Sequence, residues 1–219
     1  MKNCQYYLSL VFAGALFLVA GCQVGANAAG PKSEGSGPNP VLILDTNQGQ
    51  IAIELDKAKA PISTENILTY AKNGFYEGVI FHRIIPNFMV QAGGFDAALK
   101  KHGPLRPTIK NEAANGLSNV RGTVAMARTQ VVDSASSQFF INLVDNSRLD
   151  HRSKDSRGYG YAVFGKVIEG MDVVDKIAQQ KTLCPSSKRG PCNAKLPMGM
   201  RDVPAEPIVI KKAYQRKVK

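Results

Sequence analysis

Beyond residue 40 the sequence is cut into short apolar runs by turns rich in Gly, Pro, Asn and Asp, and only two stretches carry a helical period. This punctuation constrains the fold more than any other feature. Short runs with no helix between successive members do not build the parallel sheet of a βαβ protein. The stretch "VLILDTNQGQIAIELD" (41–56) reads as two strands around a polar, Gly-containing turn. Further strands are predicted at 79–85, 89–93, 123–128, 137–144, 161–168 and 207–215. One helix is predicted over 60–75: Pro61 and Ser63 mark its start, Ile67, Leu68 and Ala71 form an apolar stripe, and Gly74 ends it. A second is predicted over 170–179, with Met171, Val174, Ile177 and Ala178 on one side. Residues 95–122 and 181–207 read as loop. About eight strands and two helices in this order favour a mainly β fold, a closed eight-stranded antiparallel β-barrel capped by two α-helices. Closure removes the exposed sheet edges, and alternating side chains fill the interior.

The domain is predicted over 41–215, with a basic tail at 216–219. Residues 1–21 stand apart from it. Lys2 supplies a positive start, and "YLSLVFAGALFLVAG" (7–21) is an apolar run ending in small residues, the pattern of a secretory signal and too short for a spanning helix. Its end, "LVAGC", resembles a bacterial lipobox, in which cleavage precedes the cysteine and Cys22 is lipidated. A plain signal peptide cut later, near the small residues at 26–30, is the alternative. Gln23 follows the cysteine where an Asp would resemble an inner-membrane retention signal, so the outer membrane is expected. Residues 22–40, rich in Gly, Ala, Ser and Pro, read as a flexible tether. The expectation is an exported, periplasmic chain held to a membrane by a lipid at Cys22.

The formal net charge is +11, and it falls to +10 once residues 1–21, with one lysine and no acid, are removed. Such an excess raises the possibility of nucleic acid. An exported chain rarely meets any, and the basic residues are scattered, with clusters only at 100–110 and in the C-terminal "KKAYQRKVK". The reading is a soluble basic surface, attracted to anionic envelope components, with no nucleic-acid partner. Cys4 leaves with the signal. Cys184 and Cys192, in "CPSSKRGPC", remain, and an oxidising compartment favours their pairing as a structural staple. In the chain-entropy model a closed loop of this size contributes about 2–3 kcal/mol. Two free surface thiols are the alternative; the spacing, with no His nearby, does not resemble a zinc site.

Most catalytic devices are missing. The three histidines, His82, His102 and His151, pair with no Cys or Glu at ligand spacing. There is no Gly-x-Ser-x-Gly elbow and no phosphate-cradling loop. Glu54, Asp56, Asp133, Asp145 and Asp150 sit mostly at strand ends and turns and read as solvated or capping groups. An enzyme built from this chain would need a reaction requiring no nucleophile, no metal and no cofactor. Rotation about an Xaa–Pro bond is such a reaction. Its barrier of about 18–20 kcal/mol comes from lost amide resonance, and uncatalysed it takes ~10–100 s. A catalyst needs an apolar cup for the pyrrolidine ring, a firm hold on the flanking peptide, and a strong donor for the prolyl nitrogen as it regains its lone pair. That last contact exists only in the twisted transition state, so it contributes to rate. Arginine, always charged and presenting a rigid planar fork, suits it.

One stretch offers such an arginine. In "FHRIIPNFMVQAGG" (81–94), Arg83 interrupts a nearly continuous apolar run. This stretch, "SQFFI" (137–141) and "VFGKVIEGMDVVDKI" (163–177) resemble cyclophilins, the cyclophilin-type peptidyl-prolyl cis-trans isomerases, over about 41–214. "RGTVAMARTQVVDSASSQFFIN" and "GYGYAVFGKV" resemble the bacterial exported branch. The resemblance implies the closed eight-stranded barrel reached above. It also implies isomerase activity on proline-containing polypeptides; a monomer is the expected state. It matches Arg83 to the catalytic arginine, and Phe88, Met89, Phe140 and Leu149 to the proline pocket. Gln91 matches the side chain that bonds substrate backbone and steadies the arginine. Ala127 and Arg128 match the segment whose backbone binds the peptide antiparallel. Tyr161 stands where many eukaryotic members carry a pocket His. His82 is expected on the opposite face of its strand, inside the barrel.

Taken singly, Phe88, Met89, Phe140 and Leu149 read as plain core, and Arg83 as a strand-end charge; their joint spacing carries the functional reading. One departure stands out. Arg148, in "DNSRLDH", occupies the place of the groove aromatic that precedes the pocket leucine in many members. Its loss is expected to weaken cyclosporin binding and to favour acidic residues flanking the proline. The insertion "HRSKDSRGYG" (151–160) borders the same edge. The competing reading is an envelope-tethered module or chaperone that grips proline peptides without turnover; a structural anchor of the envelope has only the lipobox and the basic surface behind it.

Overall fold

The computed structural model describes residues 38–187, 196–197 and 200–217. The signal at 1–21, the lipidation candidate Cys22, most of the tether, Cys192 and the last two residues of the basic tail lie outside the described residues.

Among the described residues ten strands and two α-helices follow one another: β1 (Val41–Thr46), β2 (Gln50–Leu55), α1 (Pro61–Lys72), β3 (Val79–Ile85), β4 (Met89–Asp96), β5 (Thr123–Met126), β6 (Phe139–Asn142), β7 (Val163–Glu169), α2 (Met171–Ala178), β8 (Thr182–Leu183), β9 (Val203–Pro204) and β10 (Ile210–Gln215). Eight strands form one antiparallel sheet in the order β10-β1-β2-β7-β5-β6-β4-β3. The sheet curls until its two ends meet. Ile80 of β3 bridges Val209 beside β10, and the N–H groups of Phe81 and Gly78 donate to the carbonyls of Ile208 and Ile210, each at 2.9 Å. The expected barrel is present, with β8 and β9 forming a small separate hairpin inside the stretch read as loop.

Inward positions alternate as a two-residue period requires. Leu42 and Leu44, Ile51 and Ile53, Val90 and Ala92, Val124 and Met126, Phe139 and Ile141 are all buried in one core cluster. Ile67 and Tyr70 of α1 and Val174 and Ile177 of α2 enter the same cluster, so both helices close the barrel core. Helix α1 starts at Pro61 without a side-chain cap of its own. Glu112, on a distant loop, accepts from the N–H groups of Ile62 at 3.0 Å and Ser63 at 2.7 Å. An anion thereby satisfies donors that have no partner within the helix. The buried face includes Ser63, Thr64 and Tyr70, while Leu68 of the expected stripe is only partly buried.

The strands β5 and β6 are shorter than expected. Beyond Met126 the Ala127 N–H is taken by the Gln138 carbonyl at 3.0 Å, just outside both strands. Strand β4 is longer, running to Asp96 through Gly93 and Gly94. A Cβ on Gly93 would lie 2.4 Å from the Ser137 carbonyl oxygen, so the glycine permits an approach no other residue allows. The main departure is in β3. Phe81 pairs with Ala92 and Arg83 pairs with Gln91, leaving His82 as an extra residue in the ladder. This β-bulge resets the alternation, so that Phe81 and Ile84, three apart, both enter the core. His82 therefore does not point into the barrel as simple alternation predicts. It is buried outside it, against Phe95 with ring centroids 4.8 Å apart.

Candidate active site

Register assembles the site. Across five neighbouring strands Arg83 (β3) pairs with Gln91 (β4), Gln91 with Phe140 (β6), Phe140 with Ala125 (β5) and Ala125 with Val163 (β7). Directly paired residues share a face, and the alternate residues of these strands fill the barrel. The row therefore lies on the outer surface, with a guanidinium at one end and apolar side chains at the other.

The apolar end is a second, smaller cluster separate from the core. Met89, Ala125, Phe140 and Val163 are buried in it, and Ile85, Phe88, Leu117, Ala127, Leu149 and Tyr161 pack against it. Every expected pocket residue is here. Phe140 and Tyr161 meet edge to face at 5.7 Å, a favoured aromatic arrangement. Phe88 is delivered by the β3–β4 turn, where Pro86 precedes Asn87 at φ +58, a pairing of residue types that such turns favour. Its carbonyl is then fixed by the Leu143 N–H at 3.0 Å and the Asn146 amide at 2.9 Å. Asn146 also donates to Asn142, which donates to Asn119 and Thr123, so a buried amide network underlies the pocket wall. Asn119 donates to Asp150, tying down the turn that carries Arg148 and Leu149.

At the polar end Arg83 Nη1 donates to Gln91 Oε1 at 3.5 Å, and Gln91 Nε2 donates to Gln138 Oε1 at 2.9 Å. The Arg83 side chain remains 42% exposed, so donors are free to face a bound chain. Its Nε stands 3.9 Å from Oδ2 of Asp202. A cavity of about 420 Å³ opens between Arg83, Gln91, Gln138 and the 200–202 segment, with His82 and Phe95 in its wall. Burial, with a smaller push from the charge of Arg83 and against an opposing hydrogen bond to the Ile80 backbone, lowers the His82 pKa to about 4. The ring is neutral at pH 7.

Arg128 is committed to the fold. Its guanidinium donates to the carbonyls of Gly160 and Ser156, each at 2.9 Å, and lies 5.0 Å from the Tyr161 ring centre. It anchors the 151–160 insertion beside the pocket. Arg148 is exposed and stacks on Phe88 at 4.6 Å. Cys184 is disulfide-bonded. Among the described residues no group of three or more His, Cys, Asp or Glu is arranged to hold a metal ion.

Sequence reasoning missed Ala125, Val163, Gln138 and Asp202. Register leads to the first two step by step, since Ala125 pairs with Phe140 and Val163 pairs with Ala125, and Gln138 bonds the Gln91 side chain. Asp202 had no local signal, because only the folded loop brings it to Arg83.

This is a mainly β barrel whose candidate site lies on its outer wall rather than in its lumen. Residues 41–215 match the family model described as cyclophilin type peptidyl-prolyl cis-trans isomerase/CLD. The chain is 50% identical over 172 residues, 78% of its own length and 82% of the relative's, to "Peptidyl-prolyl cis-trans isomerase A" of Dickeya dadantii. It is 58% identical over 144 residues, 66% of its length and 74% of the relative's, to "Peptidyl-prolyl cis-trans isomerase" of Acinetobacter baylyi. A solved cyclophilin type isomerase of Cryptosporidium parvum superposes with a TM-score of 0.62 at 23% identity, covering 83% of this chain and 99% of that one, a likeness of fold. The same protein was also solved in the presence of the dipeptide Ala-Pro. The chain belongs to the cyclophilin-type peptidyl-prolyl cis-trans isomerase family.

Proposed function

We propose that this chain accelerates cis/trans rotation of Xaa–Pro bonds in exported polypeptides, with Arg83 as the donor to the prolyl nitrogen. The isomerase class rests on the family match over 41–215 and on relatives named as isomerases at 50–58% identity. The carrying observation for the mechanism is the cross-strand row, which sets a half-exposed guanidinium two strands from Phe140 and its apolar recess, with Gln91 between them. In this reading the recess of Phe88, Met89, Phe140, Leu149 and Tyr161 seats the ring. Gln91 holds both the arginine and the substrate backbone, and the Ala127–Arg128 segment lies along the peptide. As the amide twists, the nitrogen becomes an acceptor and Arg83 donates to it, a contact absent from the planar ground state. The test is a coupled proline-isomerisation assay on wild type and Arg83→Ala. A large fall in kcat/KM with unchanged peptide affinity is expected; equal rates would leave a proline-peptide binding module without essential turnover.

Arg148, stacked on Phe88, places a charge at the pocket rim. Its proposed effect is a preference for acidic residues flanking the proline. Equal rates across Xaa-Pro peptides with and without acidic flanks would remove it. Export, and lipidation at Cys22 with the outer membrane as destination, rest on the "LVAGC" motif and Gln23. Intact-mass measurement tests them: an unmodified N-terminus at Asn27 or beyond defeats the anchor.

A further inference from the structure

We infer that Asp202 is a positioning residue for Arg83, a role that rests on the reading of Arg83 as the donor to the prolyl nitrogen. Asp202 is 3% exposed. A carboxylate is costly to bury unless charge or hydrogen bonds answer it. Oδ1 is answered by the Ser186 N–H at 2.6 Å. Oδ2 makes no hydrogen bond among the described residues and faces Arg83 Nε at 3.9 Å. That oxygen is therefore directed at the guanidinium.

Its placement is over-determined. The Asp202 carbonyl accepts from the Ile84 N–H at 2.8 Å, which fastens the residue to β3 immediately beside Arg83. The Asp202 N–H donates to the Cys184 carbonyl at 3.3 Å, and the next two residues, Val203 and Pro204, pair with β8. Asp202 holds φ +60, an uncommon state for a residue with a Cβ, and such states persist where the surroundings enforce them. Neighbouring Arg201 donates to the Pro185 carbonyl at 3.1 Å, so the same loop is tied on both sides of the carboxylate.

The consequence is geometric. Arg83 is a flexible side chain with 42% of its surface exposed, and free arginine samples many rotamers. Gln91 holds Nη1 and Asp202 attracts Nε, so two edges of one planar group are referenced to the barrel. The remaining donors are then aimed at the face where the prolyl nitrogen must pyramidalise. Asp202 does not touch substrate; it acts through Arg83.

The discriminating variant is Asp202→Asn, which keeps an oxygen for Ser186 and removes the charge. We expect kcat/KM to fall about tenfold, the size of loss that small misplacement of a reacting group produces. Peptide Kd and Tm should stay at wild-type values, and the 15N shift of the Arg83 Nε–H should move. Combined with Arg83→Ala, Asp202→Asn should cause no further loss. Full activity of Asp202→Asn beside an impaired Arg83→Ala overturns the inference alone. An active Arg83→Ala overturns the reading beneath it. An equal loss in both backgrounds, or an unmoved Nε–H, makes Asp202 structural only and also overturns the inference.

Discussion

The apolar half of the site, around Met89, Phe140 and Val163, and the polar half, around Arg83, Gln91 and Asp202, share strands β3 and β4 but are fixed by different means. The apolar half follows from regular pairing: alternate residues on successive antiparallel strands meet on the outer face and pack. The polar half depends on an irregularity and a distant loop. The bulge at His82 turns Arg83 outward, and Asp202 arrives from more than a hundred residues away along the chain. Packing is non-directional and tolerates modest change, whereas a guanidinium must be aimed. The two halves should fail differently.

The largest effect should separate them most. Arg83→Ala is expected to lower kcat/KM by about 10²–10³-fold, the usual cost of losing a donor to developing charge, with a smaller loss of Tm than Phe140→Ala, because the side chain is half exposed and only the charge facing Asp202 Oδ2 is removed. Phe140→Ala should act the other way round. Phe140 is 4% exposed at the centre of the apolar cluster. Its loss should cost about 3 kcal/mol of stability in denaturant titrations and raise KM. If Arg83→Ala destabilised as much as Phe140→Ala, the division would not hold.

Acid should weaken the polar side first. His82 has its folded pKa lowered to about 4 against an ordinary value of 6.5. Between those values the unfolded chain binds a proton that the fold refuses, so stability falls as pH drops through that window. From pH 7 to pH 5 this one group should remove about 2 kcal/mol. His82→Gln should flatten that slope in unfolding curves taken at the two pH values. On the apolar side Asn146→Ala, which removes one of the two donors to the Phe88 carbonyl and strands Asn142 Oδ1, should cost about 1–2 kcal/mol and raise KM with little change in kcat.

The same contrast explains what could be read from the sequence. Strand runs, turns and the two helices are written in local periodicity, and the pocket residues carried a resemblance that register confirmed as one cluster. His82 was misplaced because a bulge leaves no mark in residue type; the ladder shows it only once Phe81 and Arg83 find partners one residue apart on β4. Asp202 and the Glu112 clamp on α1 are contacts made by carboxylates across long loops. Nothing in the neighbouring residues of either announces its partner, because the loop path that joins them is set by the whole fold.

The smallest expected effect probes the link between loop and arginine. Cys184 is disulfide-bonded, and its carbonyl accepts the Asp202 N–H. With Cys192 as the proposed partner, the closed loop lends about 2–3 kcal/mol in the chain-entropy model. Reduction releases that constraint without touching β3 or the apolar cluster. Asp202 should then sample positions farther from Arg83, and kcat/KM should fall by about twofold, less than for Asp202→Asn, since the Ile84 bond still holds the residue to the barrel. The loss should vanish in the Asp202→Asn background, because the charge that the loop positions is already gone. Peptide mapping under non-reducing conditions checks the partner. A fall in activity that persists in that background would mean that the disulfide acts on the site by some route other than Asp202.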